Sequence, residues 1–83
     1  MKIQIIGLNP KKYYFNGELH RDDGPAIEYQ SGEFAWYKNG QWHREDGPAS
    51  FINGKYYWAL DYVQVPVNTQ EEFESYKKLM AFW

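Results

Sequence analysis

Apolar and aromatic residues run along this chain in short stretches, cut at close intervals by turn dipeptides: Asn16-Gly17, Asp23-Gly24, Ser31-Gly32, Asn39-Gly40, Asp46-Gly47 and Asn53-Gly54. The stretches between them are of strand length, too short for helices. Asn-Gly between such runs is the strongest short hairpin signal, because a type I′ turn needs positive φ at both central residues. The middle of the chain therefore reads as an antiparallel meander of short strands. Lys2 to Leu8 shows partial apolar alternation with β-branched residues and reads as an opening strand, broken by Asn9-Pro10. The end differs. Thr69, followed three residues later by Glu72, forms a capping box. Acidic residues crowd the first turn, and Lys77 and Lys78 stand near the last, as the helix dipole favours. Phe73, Tyr76, Met80 and Trp83 fall on one helical stripe. A helix over 69–82 is predicted, closing the sheet and covering an edge strand that otherwise invites pairing.

The pattern is also a repeat. Tyr14 to Ala26 returns as Tyr37 to Ala49 with Tyr, Asn, Gly, His, Arg, Asp, Gly, Pro and Ala identical, so nine of thirteen positions match across an offset of 23. A degraded third copy follows, with Trp58 to Val65 laid over Trp36 to His43 one residue earlier in phase. It has lost the His-Arg pair and the Asp-Gly-Pro turn, as a terminal capping repeat would. The predicted organisation is a single domain, 1–83. It comprises an N-terminal strand and turn (1–10), repeat one (13–34), repeat two (35–57), a degraded third repeat (58–67) and the C-terminal helix.

Composition narrows the reading. A chain of 83 residues without cysteine buries only about 60–65% of its unfolded surface and gains nothing from disulfides. Aromatics at 20% compensate, since large rings give much apolar area to a thin sheet. The net charge of −2, with scattered lysines, argues against a duplex nucleic-acid partner. No apolar run reaches a membrane span, and the segment before Asn9 is too short for a signal peptide. A cysteine-free acidic chain fits the cytoplasm.

Trp36-Tyr37-x-Asn39-Gly40-x-x-His43-Arg44-x-Asp46-Gly47-Pro48-Ala49 resembles the short repeats found in small proteins of tailed bacteriophages, which look like a variant of the MORN repeat family. The resemblance covers about Tyr13 to Val65. It implies stacked β-hairpins in an elongated sheet, a viral origin, and a scaffold for contacts. The ordinary MORN pattern lacks the His-Arg and Asp-Gly-Pro element, so its lipid association is not carried over.

The candidate chemistry lies in the repeat. His20 and His43 suit metal ligation or general base work. Their recurrence in each repeat favours a structural role, with the imidazole bonding Asp23 or Asp46 three residues on. No established zinc spacing is present, so no metal or other cofactor is expected. Strand alternation would place Arg21 beside Leu19 and Arg44 beside Trp42. An arginine next to an aromatic ring suits an anionic ligand; it equally suits a salt bridge to Asp22, Asp23, Glu45 or Asp46. Asp23-Gly24-Pro25 and Asp46-Gly47-Pro48 read as turns, with the aspartate bonding its own backbone, the glycine supplying unusual φ and the proline fixing the exit. Ser31, Ser50 and Ser75 sit in a turn, a strand and the helix, so no nucleophile is placed for catalysis.

The expected molecule is mostly β and non-enzymatic. Its function is to bind and inhibit or redirect a host protein, with Arg21, Arg44, Trp36 and Trp42 as contact candidates, since exposed Trp and Arg carry most binding energy. Sequestration of a small anionic ligand such as a signalling nucleotide, and a virion or scaffold role, are the rival expectations.

Overall fold

The computed structural model describes residues 3–81. Ten strands precede one helix: β1 (Gln4–Ile6), β2 (Lys11–Phe15), β3 (Glu18–Leu19), β4 (Ile27–Glu28), β5 (Phe34–Ala35), β6 (Tyr37–Lys38), β7 (Gln41–Trp42), β8 (Ser50–Ile52), β9 (Lys55–Leu60), β10 (Val63–Val65) and α1 (Gln70–Met80). The protein is mostly β. An eight-stranded antiparallel sheet runs β1-β2-β4-β5-β8-β9-β10, with β3 joined to β2, and β6-β7 form a separate pair. The extents are 39 × 30 × 17 Å, elongated and thin.

The long strands do double duty. In β2, Lys11 and Lys12 pair with β4, while Tyr14 and Phe15 pair with β3. In β9, the first half pairs with β8 and the second with β10. Between them, β5, Trp36 and β6 make the same passage, from a ladder with β4 and β8 to a hairpin with β7. One track is thus a continuous meander and the other a row of three hairpins. Segments 20–26 and 43–49 return from the second track to the first as bends, which is why many observed strands are only two residues long. The sequence runs suggested longer ones.

The turns explain the hairpins. Asn16, Asn39 and Asn53 have φ of 53°, 52° and 51°, and the glycines after them 79°, 77° and 76°. Both central residues are left-handed, as the type I′ turn requires. The third copy keeps this geometry without the glycine: Asp61 and Tyr62 have φ of 48° and 72°. Its Leu60–Val63 pair occupies the place of Lys38–Gln41 in the second repeat.

The core is small. Trp58, Val65 and Phe73 are buried together, with Leu60, Val67 and Tyr76 packed around them. Ala26 and Ala49, which end the two repeat motifs, have no exposed surface, so the return segments lie close against the sheet. The helix keeps its capping box: Thr69 accepts the Glu72 N–H, and Glu72 accepts the Thr69 N–H. It docks on the sheet face bearing Trp58 and Val65, through Phe73. Among the described residues the expected stripe is used in part. Phe73 is buried and Tyr76 partly so, whereas Met80 is exposed. Trp83, Phe82 and Lys2 lie outside the described residues. The opening strand is shorter than expected, at three residues.

Candidate functional site

The repeated His-Arg-x-Asp-Gly-Pro-Ala segments make two similar loops. Each begins where a hairpin ends. His20 and His43 donate their N–H to the carbonyls of Tyr13 and Trp36, and the next residues, Arg21 and Arg44, donate to Tyr37 and Ala59 of the following repeat. The histidine side chains make the same step forward. Nδ1 of His20 accepts the Asn39 N–H at 2.9 Å, and Nδ1 of His43 accepts the Asp61 N–H at 2.9 Å. An imidazole that accepts at Nδ1 carries its proton on Nε2. That proton points to Asp22 Oδ1, 3.1 Å from His20, and less closely to Glu45 Oε1, 3.8 Å from His43. The expected partners, Asp23 and Asp46, are not used. The reason is the forward step: the ring faces the next turn and the acid two residues on, leaving the third for arginine.

Arginine takes that acid. Arg21 Nε donates to Asp23 Oδ1 at 3.1 Å and its Nη1 to the Pro25 carbonyl at 3.2 Å. Arg44 repeats this with Asp46 at 2.9 Å and the Pro48 carbonyl at 3.1 Å. Arg21 also meets Glu28, 3.3 Å from Nη1. Each guanidinium lies over a ring, Arg21 over Tyr13 at 4.1 Å and Arg44 over Trp36 at 4.0 Å. The neighbours expected from strand alternation were Leu19 for Arg21 and Trp42 for Arg44. Alternation stops applying because β3 and β7 end before the arginines, and the chain bends back. Trp42 instead donates its indole N–H to the buried Ser50 hydroxyl at 2.7 Å.

The glycines of these loops have a different task from the one expected. Gly24 and Gly47 do not have positive φ. A Cβ on Gly24 would stand 2.7 Å from Arg21 Cζ, and one on Gly47 2.8 Å from Arg44 Cζ. The guanidinium lies where a Cβ would crowd it, so glycine here serves close approach and not an unusual φ. The arginine bond also holds the Asp46 carboxyl below the ordinary carboxylate value.

Between the two loops lies an open groove of about 280 Å³. Arg21, Lys38, His43 and Arg44 supply its basic side chains, Asp22, Glu45 and Asp46 its carboxylates, and Trp36 an aromatic wall. The structure thus brings Arg21, Arg44 and Trp36 together and leaves Trp42 out. Lys38 is a groove residue the sequence reading missed; its only signal was the alternation opposite Tyr37. The second loop is also tied to the helix. Gln70 donates to the Asp46 carbonyl at 3.4 Å, accepts the Trp58 indole N–H at 2.9 Å, and Lys77 donates to the Glu45 carbonyl. No sequence pattern pointed to those bonds. Among the described residues no metal-holding group of three or more ligands occurs, and no helix is long and apolar enough to cross a membrane.

No family model, curated protein or solved structure matches this chain.

Proposed function

We propose that this chain is a small non-catalytic interaction module that binds a polypeptide in the groove between its two repeat loops. As a MORN-like repeat protein of the bacteriophage type, it would act in the host cytoplasm by inhibiting or redirecting a host protein. The observation that carries the reading is the groove's mixed charge: three cationic side chains, an imidazole and three carboxylates line one opening beside Trp36. Complementary charge patterns of this kind give specificity towards another protein surface. The loops are held by their own arginines, so little ordering cost accompanies binding.

The test is native mass spectrometry of the protein recovered gently from a bacterial lysate, beside a Lys38→Glu variant. Lys38 is exposed, so its replacement leaves the arginine clamps intact. A single polypeptide bound to the unmodified protein and lost from the variant supports the reading. A complex indifferent to Lys38, or none, overturns it.

Sequestration of a small anion is the second reading, favoured by the presence of both arginines in one groove. Their Nε and Nη1 groups are already engaged, and three carboxylates face any incoming phosphate. It requires a nucleotide that raises the melting temperature of the protein but not of Lys38→Glu.

A further inference from the structure

The two ends of the sheet are finished differently. At the β10 end, the features that carry one repeat into the next are missing. Val65 stands where His20 and His43 present an acceptor nitrogen. Pro66 follows where Arg21 and Arg44 donate their backbone N–H. Proline has no N–H to give, so the residue after β10 cannot continue a ladder.

At the β1 end no proline follows the strand directly. Tyr13 donates its N–H to Ala26 and accepts from His20, so both its polar groups point away from β1. In an antiparallel ladder those groups alternate in direction. Lys12 and Tyr14 are therefore the residues that bond β1, opposite Ile6 and Gln4. The N–H and C=O of Ile5, opposite Tyr13, point outward from the sheet. No side chain from Ile3 to Pro10 is charged. Ile5, Ile6 and Leu8 are 58%, 56% and 78% exposed, and Ile5 and Ile6 lie on opposite faces. β1 carries apolar side chains above and below the outward N–H and C=O of Ile5, without the charge or proline that commonly guards a sheet edge.

We propose that β1 pairs antiparallel with β1 of a second copy, joining two sheets into a closed two-fold dimer. A strand free of charge can oppose itself without setting like charges against each other, a condition an isologous interface must meet at its axis. With the axis at Ile5, that residue faces its own counterpart across the join and exchanges both backbone bonds with it. Gln4 then lies opposite Ile6 of the other copy, so each face carries apolar contact. Pairing β1 with its own copy uses the same edge of both protomers, so the two-fold join is closed. This proposal uses a different surface from the groove and stands independently of the binding reading.

The experiment is light scattering after size exclusion, over a concentration series, on the full chain and on Ile5→Lys and Leu79→Lys. Twice the 9.9 kDa protomer mass is expected for the unmodified protein and for Leu79→Lys, which alters an exposed apolar residue on the helix. Ile5→Lys is expected to run as a monomer with unchanged circular dichroism, because the Ile5 side chain is exposed. Hydrogen exchange supplies a second readout: the Ile5 amide should be protected in the dimer and exchange freely in Ile5→Lys. A monomeric unmodified protein, a dimer that survives Ile5→Lys or is lost with Leu79→Lys, or β1 occupied by another protein's strand would each overturn the proposal.

Discussion

The Nδ1 of His20 accepts the backbone N–H of Asn39 at 2.9 Å, and through this bond the first repeat holds the turn of the second. His20 is 8% exposed, so water cannot readily replace the imidazole. Removing one partner of a buried bond leaves the other unsatisfied, at a cost of about 1–3 kcal/mol. The whole domain holds roughly 4–12 kcal/mol, so His20→Ala should cost a sizeable fraction of its stability. His43→Ala should cost less, because the His43 ring is less buried than that of His20 and its bond to Asp61 is exposed where the His20 bond is partly buried. Urea unfolding of the two variants checks the order. Equal costs would mean that exposure does not set the value of the bond.

Gly47→Ala should push the Arg44 guanidinium off its bond to Asp46, at a net cost of no more than about 1 kcal/mol, because the side-chain end can shift and alanine stiffens the unfolded chain. The effect should shrink when Arg44→Ala is also present, since the obstructing Cζ is gone. A double-mutant cycle measures the coupling. Additive costs would place the strain in the glycine backbone instead of the guanidinium contact.

Tyr62→Gly should raise stability by up to about 1 kcal/mol. Tyr62 holds φ of 72° in a turn whose counterparts are Gly17 and Gly40, a conformation that costs a side chain about 1–2 kcal/mol. Part of that gain is offset by the greater freedom of glycine in the unfolded chain. The Tyr62 N–H to the Trp42 carbonyl survives the change. Thermal unfolding gives the sign, and a fall would show that the exposed tyrosine ring has a packing role.

Phe73→Ala should cost about 3–5 kcal/mol, the loss from emptying a fully buried aromatic site. Because Phe73 joins α1 to Trp58 and Val65, the helix should melt before the sheet. Far-ultraviolet circular dichroism and tryptophan fluorescence, followed together in denaturant, would separate the two transitions. Coincident curves would show that sheet and helix fold as one unit.

Acid should weaken the Arg44–Asp46 clamp. The folded-state Asp46 carboxyl lies below its ordinary value, so its contribution is present above the unfolded value of about 3.9 and is lost as pH falls through the folded one. The stability difference between the unmodified protein and Asp46→Asn should therefore narrow on acidification. Asp46 is largely exposed, so solvent screening keeps the difference below about 1 kcal/mol. A difference that widens in acid would contradict the assignment.

Local features are legible in the chain alone. Paired left-handed residues at Asn16-Gly17, Asn39-Gly40 and Asn53-Gly54 set the hairpins, Thr69 and Glu72 set the helix start, and the offset of 23 residues set the recurrence. These depend on φ and on neighbours within a few positions, which spacing along a chain displays. Only the tertiary structure decided what His20, Arg21 and Gly24 do. The bends after β3 and β7 cancel strand alternation, turn Arg21 and Arg44 back over Tyr13 and Trp36, and send each imidazole to a turn 18 or 19 residues ahead. The same holds for Gln70 and Lys77 against the second loop, and for the open edge of β1. Such partners are chosen by how one track of the sheet lies over the other, a relation in space that no periodicity along the chain encodes.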